Sequence, residues 1–391
     1  MTEVVVIGMA RTPFGSFLGS LASIPATRLG SVAIKAALER AGIKPKQVSE
    51  VIMGNVLQAG EGQAPARQAS IYSGIPDSVP AMTVNKVCGS GMKAVMLGVQ
   101  SILLGDSDIV VAGGMESMSR APYLLPGVRS EFKMGNQALI DSMIHDGLWD
   151  PYSNTHMGNC GDLCASEKEI SRKEQDEYTA ESFRRAQSAQ KEGKFDNEIT
   201  LVTVKSAKGN AVIKIDEGPS KVKFEKIPLL KPAFGKDGTV TAANASTIND
   251  GAAAIILTFL DKAKELGIRP LAKLVSYGTH AQKPEWFTTA PATAMLQAMK
   301  KVSWDVDDVD LFEINEAFAV VAISAMRDLN ISHDKVNVFG GAISLGHPVG
   351  ASGTRIIMSL ISALKNFGKK RGVAGICIGG GEATAVCLEM I

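Results

Sequence analysis

Short β-branched runs alternate with longer Ala- and Leu-rich segments of helical period, and the alternation occurs twice along the chain. The first round runs Val4 to Ile7, Leu29 to Ala41, Glu50 to Met53, Lys93 to Leu104 and Ile109 to Ala112. The second runs Leu271 to Ser276, Ala292 to Lys301, Leu311 to Ile314, Ala317 to Leu329, Thr354 to Phe367 and Gly375 to Ile378. Strands of this kind, separated by helices, belong in a largely buried sheet, so the fold class is α/β with a duplicated core. Two glycine-rich segments sharpen the duplication. Cys88-Gly-Ser-Gly-Met-Lys93 opens a helix that leads to Val111-Ala-Gly-Gly-Met-Glu116, and Gly350-Ala-Ser-Gly-Thr-Arg355 opens one that leads to Cys377-Ile-Gly-Gly-Gly-Glu382. Each half is thus expected to hold a glycine turn, a helix and a strand ending in Gly-Gly. Ser117 to Asp237 breaks the pattern: it is more polar and carries a charged amphipathic helix from about Arg172 to Glu192, as an insertion extending over the core would.

A chain of 391 residues is long enough for two or three compact units with a large core. Its 41 Lys and Arg against 40 Asp and Glu leave a net charge of +1, so no global field draws it to nucleic acid or to an anionic membrane. An anionic ligand must be held by local chemistry. No uninterrupted apolar run reaches the roughly 18 residues of a spanning helix. Cys88, Cys160, Cys164, Cys377 and Cys387 are odd in number and scattered, unlike a disulfide framework, which favours reduced thiols. A strand begins almost at Met1 with no leader of a targeting type, and the chain ends without a peroxisomal tripeptide, so a cytoplasmic location is expected.

Three residues stand where chemistry is plausible. Cys88 lies between the apolar Met82 to Val84 run and a helix, in an elbow of glycines whose free N–H groups favour a thiolate and can donate to an oxyanion. His347 lies in the glycine-rich stretch Gly340 to Gly353, where an imidazole held by Pro348 can take a proton from a thiol. Cys377 ends an apolar strand before three glycines, as the second half's counterpart of the Gly-Gly turn. Ligands of open α/β sheets bind beyond the carboxyl ends of the strands, so these three side chains are expected to converge there. His156, Cys160 and Cys164 are spaced by four and resemble a metal stripe, but three ligands with no fourth favour a packed helix face, and no metal is expected. No glycine pattern gives a dinucleotide fingerprint after a strand. Lys221-Val-Lys-Phe-Glu-Lys226 is either a solvated face or a grip for phosphates.

These residues together resemble the thiolase family over nearly the whole chain. The likeness rests on Asn85-Lys-Val-Cys-Gly-Ser-Gly91, Ala112-Gly-Gly-Met-Glu-Ser-Met-Ser119, Thr239 to Gly251, Glu313-Ile-Asn-Glu-Ala-Phe318, the Gly340 to Gly353 loop and Cys377-Ile-Gly-Gly-Gly381. It implies a thiolase fold: a duplicated βαβαβαββ core in five layers with an inserted loop domain. The corresponding division is 1–117 for the N-terminal core half, 118–248 for the loop domain, 249–268 for the return to the first half and 269–391 for the C-terminal half. It implies the reversible condensation of two acetyl-CoA to acetoacetyl-CoA plus CoA, with Cys88 as the acylated nucleophile and His347 as its base. Cys377 would move the α-proton of the second acetyl group. Asn315 would hold a water that with His347 forms one oxyanion hole, and the backbone N–H groups of Cys88 and Gly379 would form the other.

For the substrate the resemblance points to Ser246 near the pantetheine, Phe318 and Leu148 along the tunnel, and Lys221, Lys223 and Lys226 at the nucleotide phosphates. His156 and Met157 match the acetoacetyl-specific branch, with the imidazole at the thioester oxygen, and Phe287 lies beside the acyl pocket. No cofactor is implied beyond coenzyme A as part of the substrate. Ala242, Ala243 and Ala245 resemble a potassium-activated branch, but Phe183 stands where that branch has a tyrosine, so a potassium site would lose a ligand. Partners are acetyl-CoA, acetoacetyl-CoA, coenzyme A and further copies of the chain, as homodimer or homotetramer, with the apolar Ala64 to Ala69 stretch at such a contact. The alternatives are a β-oxidation 3-ketoacyl-CoA thiolase of broader chain length and a non-catalytic lipid-binding or scaffold protein of the same fold. A decarboxylating condensing enzyme would have a second His or an Asn in place of Cys377.

Overall fold

The opening β-branched run extends over Val4–Arg11, and every one of its residues is buried. It joins the two halves of the molecule, described over residues 3–206 and 209–391 in a computed structural model. On one side it pairs antiparallel with Asn249–Phe259, and on the other with Ala272–Ala281 through Val5 and Val6 alone. Outward from it the first half continues through Asn249–Phe259, Ile109–Ser117, Glu50–Gly54 and Ala81–Val84. The second continues from Ala272–Ala281 through Glu382–Met390 and Arg371–Ile378 to Leu311–Ile314. Direction repeats as well as order. In each half the inner pairs are antiparallel and the next pair, Glu50–Gly54 with Ile109–Ser117 or Leu311–Ile314 with Arg371–Ile378, is parallel.

Helices cover both faces. Ala26–Ala41 and Pro65–Tyr72 pack outside the first half, and Ala290–Lys301 and Ala319–Leu329 outside the second. Between the halves lie Ser90–Leu104 and Val349–Phe367, which also pack on each other. The layers are therefore helix, sheet, helix pair, sheet, helix, in a mixed α/β thiolase-type core. The stretch from Val87 to Leu104 has a mean hydropathy of 1.5 and is long and apolar enough to cross a membrane, contrary to the expectation that no such run exists. Its apolar faces are instead used between the two halves of the sheet.

Three further expectations change. The second half's third strand is reduced to one bridge, Val336 to Phe312. Asn337, at φ 49°, replaces it with its side chain: Oδ1 accepts from Ile314 N at 2.8 Å, and Nδ2 donates to Ile314 O at 2.8 Å. Gly113 and Gly114 lie inside the strand Ile109–Ser117 and do not end it. Gly113 pairs with Met53 as Gly375 pairs with Ile314, so the register places Met115, not the glycine pair, opposite Cys377 in the repeat. Glycine is needed there because a Cβ on Gly114 would stand 2.0 Å from the Gly350 carbonyl oxygen. Finally, the Ala64 to Ala69 stretch is open only in part: Ala66 and Ala69 are fully buried against their own core, while Ala64 is exposed and Arg67 and Gln68 are half-buried.

The inserted region holds small two-stranded pairs and the helices Met157–Glu167 and Arg172–Lys191. A fully buried cation fastens its end to the first strand. Arg11 pairs with Glu198 at 2.9 Å and with Asp216 at 2.8 Å.

The central helices touch through missing side chains. A Cβ on Gly91 would come within 2.7 Å of Thr354 Oγ1 and 2.9 Å of the Gly350 carbonyl, and one on Gly353 within 2.4 Å of Met92 N. Gly91→Ala is therefore expected to lower the unfolding free energy by about 1–3 kcal/mol through overpacking, read as a fall in the urea midpoint at unchanged m-value.

Candidate active site

Cys88 and His347 each precede the first residue of a central helix, Ser90 or Val349, by two positions. The crossing of those helices at their first turns brings both side chains to one cavity of about 270 Å³, which Gly379 also lines. Leu148, His156, Met157, Ser246, Phe287 and Phe318 are in its wall. Asn315 and Cys377 do not line it. Both are fully buried, and Cys377 lies close enough to Cys88 to raise its own pKa through it. Lys221, Lys223 and Lys226 line a separate groove of about 310 Å³ with Phe183, Ala242 and Ala243. Thr247 belongs to both walls, so groove and cavity adjoin. Lys221 also pairs with Glu217 at 3.2 Å.

The proton on His347 can be placed by counting donors. Ser352 Oγ lies 2.6 Å from His347 Nδ1 and donates its single proton to the Pro348 carbonyl at 3.0 Å. It then accepts from Nδ1–H, and Nε2 is left as a bare lone pair. Nε2 has no protein partner among the described residues and is available to a proton in the cavity. Burial, and then the nearby Arg355 cation, lower His347 to about 3. Burial pushes the Cys88 thiol up to about 11, against the N–H groups of Gly379 and of Cys88 itself, which lower it. The expectation that the helix start favours a thiolate is thus reversed: desolvation outweighs the N–H donors. Burial, with Cys88 beside it, likewise raises Cys377 well above its ordinary value. The resting site is a neutral thiol beside a neutral imidazole.

His156 caps the helix Met157–Glu167 and does not belong to a stripe with Cys160 and Cys164, which are buried behind it. Its Nδ1 accepts from Gly158 N at 3.1 Å, leaving Nε2–H as a donor, and burial lowers its pKa. Its ring stacks on Phe234 with centroids 4.5 Å apart, and Phe234 meets Phe318 edge-on at 6.2 Å. Phe287 meets the other side of Phe318 at 6.3 Å. This side of the cavity is therefore walled by aromatic rings and Met157. Gly158 is required here, because a Cβ would enter the Phe234 ring at 2.1 Å.

Sequence reasoning missed Phe234 and four buried polar residues that set the site. Asn249 Oδ1 accepts from His347 N at 2.9 Å. Glu116 accepts from Val56 N, Leu57 N, Asn55 Nδ2 and Gly350 N, tying the His347 helix to the first half. Glu316, next to Asn315, accepts from Tyr178, Ser182, Asn337 and Ile343 N, fixing the loop that leads to His347. Ser352 is the fourth. Only Glu116 and Asn249 carried a signal, as polar residues inside otherwise apolar strands. Asn315 has neither end of its amide bonded to a protein group among the described residues, which suits a residue that holds a water.

Burial holds the Cys88 thiol protonated and the His347 imidazole neutral, an arrangement that can pass the thiol proton to Nε2 as the sulfur attacks, in the manner of general base catalysis. The family models for the thiolase N-terminal domain and the thiolase C-terminal domain match residues 4–260 and 268–390. The chain belongs to the thiolase family. Within it, the chain is 52% identical over 391 residues to an acetyl-CoA acetyltransferase of Cupriavidus necator, covering both chains completely. It is also 52% identical to acetyl-CoA acetyltransferase 2 of Arabidopsis thaliana, over 100% of this chain and 97% of that one. A Gibberella zeae protein named as a cytosolic acetyl-CoA acetyltransferase is 49% identical over 100% and 98%.

With the thiol raised to about 11, its thiolate fraction grows tenfold per pH unit through neutrality. Alkylation of Cys88 by iodoacetamide is expected to rise log-linearly from about pH 6 to 9 with no plateau. A plateau near pH 7, followed by mass spectrometry, would mean a stabilised thiolate.

Proposed function

We propose that the chain is an acetyl-CoA C-acetyltransferase, interconverting two acetyl-CoA with acetoacetyl-CoA and CoA through an acetyl-cysteine. The observation that carries this reading is that Cys88 and the unpartnered Nε2 of His347 face one cavity while Cys377 lies against Cys88. Cys88 Sγ attacks the acetyl carbonyl as His347 Nε2 takes its proton. Collapse of the tetrahedral adduct breaks the bond to the CoA sulfur, and His347 returns that proton to it. A second acetyl-CoA then binds. Cys377 first gives its proton to His347 Nε2 and then, as thiolate, takes a proton from the methyl carbon of that acetyl group; the carbanion attacks the acetyl-cysteine, and Cys88 leaves as His347 returns its proton to the sulfur. The N–H groups of Cys88 and Gly379 receive one developing oxyanion, and His347 with an Asn315-held water receives the other. A missing donor of this kind costs about 2.7–4 kcal/mol of barrier. Both thiols have raised pKa values, so each stays protonated until the step that uses it.

Cys88→Ala is expected to abolish both directions. Cys377→Ala should still acquire label from radiolabelled acetyl-CoA on the Cys88 peptide, yet lose condensation and exchange of the acetyl methyl protons into D2O. Surviving exchange in that variant excludes Cys377 as the base.

The CoA tail runs from the cavity past Ser246 and Leu148 toward Lys221, Lys223 and Lys226, which the shared Thr247 supports. His156 Nε2–H donates to the thioester oxygen. No group beyond the substrate is needed. Potassium would have to bind beside the Phe183 ring without a hydroxyl ligand, and a rate comparison in K⁺ and Na⁺ decides the point. The enzyme acts in the cytoplasm as a homodimer or homotetramer. The unpaired edge of Ala81–Val84 and the exposed Tyr123, Leu125, Val128, Met134 and Leu139 support assembly, since such surfaces are rarely left open.

The broader β-oxidation reading is opposed by the wall of His156, Met157, Phe234, Phe287 and Phe318. Each methylene that finds no room forfeits about 0.8 kcal/mol of transfer energy and adds a clash. Thiolysis kcat/KM is expected to fall at least about tenfold from four-carbon to eight-carbon 3-ketoacyl-CoA. Equal efficiency would favour the β-oxidation reading.

A further inference from the structure

We propose that Lys86 and Glu382 are positioning residues: their ion pair clasps the turn that carries Cys88 to the loop that carries Gly379, and so sets the distance between the two oxyanion donors. The inference rests on the reading of Cys88 N–H and Gly379 N–H as those donors. It adds the residues that hold them together.

The two donors come from different halves of the duplicated core, so nothing in either half alone fixes their separation. The Cys88 turn is strained. Val87 has φ 46°, in the left-handed region, which for a β-branched residue costs about 1–3 kcal/mol. Most bonds that hold the turn are local. Val87 N donates to Asn85 Oδ1, Lys86 N to Ser90 Oγ, Ser90 Oγ to Val87 O, and Gly89 N to Lys86 O. These bonds stabilise the shape of the turn but do not say where it sits against the other half. On the far side, Gly380 and Gly381 both have φ 87°, so the Gly379 loop is built from residues with little stiffness of their own.

Lys86 Nζ and Glu382 Oε2 form an ion pair across this gap, one residue before the strained Val87 and one after Gly381. Among the described residues it is the one ion pair between the two segments. The segments also meet at the Gly379 N–H against the Cys88 sulfur, which is the oxyanion site itself, at the Ile378 side chain against Gly89, and where the Val87 side chain lies beside Gly379. A Cβ on Gly89 would meet Ile378 Cδ1 at 2.4 Å, so the two segments are already at closest approach and a clasp has something to close against. The side chains are 24% and 38% exposed, which keeps the pair out of the cavity and open to salt.

The test compares wild type, Lys86→Gln, Glu382→Gln and the charge-exchanged double variant Lys86→Glu with Glu382→Lys. The measurements are steady-state thiolysis and urea unfolding. A part-exposed pair contributes little to stability, but misplacing a donor acts on the barrier. Each single variant is expected to lose about three- to tenfold in kcat with KM within about twofold of wild type and an unchanged urea midpoint. The exchanged variant should recover kcat to within about twofold of wild type. Added NaCl at 0.5 M should lower wild-type kcat more than that of the singles. Singles with wild-type kcat, an exchanged variant as slow as the singles, or a kcat loss that tracks a lower urea midpoint each overturn the proposal. If wild type itself places no label from acetyl-CoA on Cys88, the proposed function fails instead, so the two failures are told apart.

Discussion

Everything at the site depends on how closely the helices Ser90–Leu104 and Val349–Phe367 approach at their first turns. Gly91, Gly350 and Gly353 let backbone meet backbone there, and Gly114 lets the strand beneath come up against Gly350. Cys88 and His347 sit two residues before those helices, so the packing contact and the catalytic distance are one geometric quantity. Both helices point their N-terminal, partially positive ends at the cavity. This favours an oxyanion forming there and disfavours an imidazolium. Burial acts in the same direction on His347, and Arg355 adds to it.

The same desolvation explains why Cys88 is held as a thiol. N–H donors at a helix start lower a cysteine pKa when water also reaches the sulfur, but Cys88 lies where losing water is the larger effect. A neutral pair avoids holding two opposite charges in an apolar cavity before substrate arrives. The buried carboxylates are spent differently. Glu116 and Glu316 each collect several donors from distant segments and work as ties: Glu116 between the His347 helix and the first half, Glu316 between the His347 loop and the helix Arg172–Lys191.

Much of this was legible in the sequence, and what was not has a common cause. Periodicity located most core helices and several core strands within a few residues, because apolar alternation is a local signal, but not the strands Asn249–Phe259 and Glu382–Met390. Glycine clusters marked Cys88, His347 and Cys377, because tight turns demand glycine. The second half's missing strand was not legible: it turns on one side chain, Asn337, substituting for a backbone ladder. Glu316 was hidden for the same reason, since its partners Tyr178 and Ser182 lie far away in the chain. Ser352 bonds its neighbours His347 and Pro348 but looks like any small polar residue in a helix, and Glu116 and Asn249 showed only as polar residues in otherwise apolar strands. The resemblance to a family supplied the substrate-side residues that spacing alone left open, His156 above all, whose spacing to Cys160 and Cys164 pointed to a packed face. Phe234, which stacks on His156, was supplied by neither.

The register of the sheet shows how a duplicated fold yields an asymmetric site. Cys88 and His347 occupy equivalent places, and Met115 and Cys377 form a second equivalent pair, facing Ala252 and Ala383 on their neighbouring strands. Duplication alone would give two identical clefts related by the core's internal symmetry. Here one helix start carries a thiol and the other an imidazole, and of the two strand positions only one carries an ionisable group, Cys377, the other being the buried thioether of Met115. Condensation requires one electrophile and one carbanion in a single cavity, so identical halves would serve it poorly. Placing unlike residues at equivalent positions converts two symmetric clefts into one site with a fixed direction, and ties between the halves then become part of the chemistry, because no reacting group has all its partners on its own side.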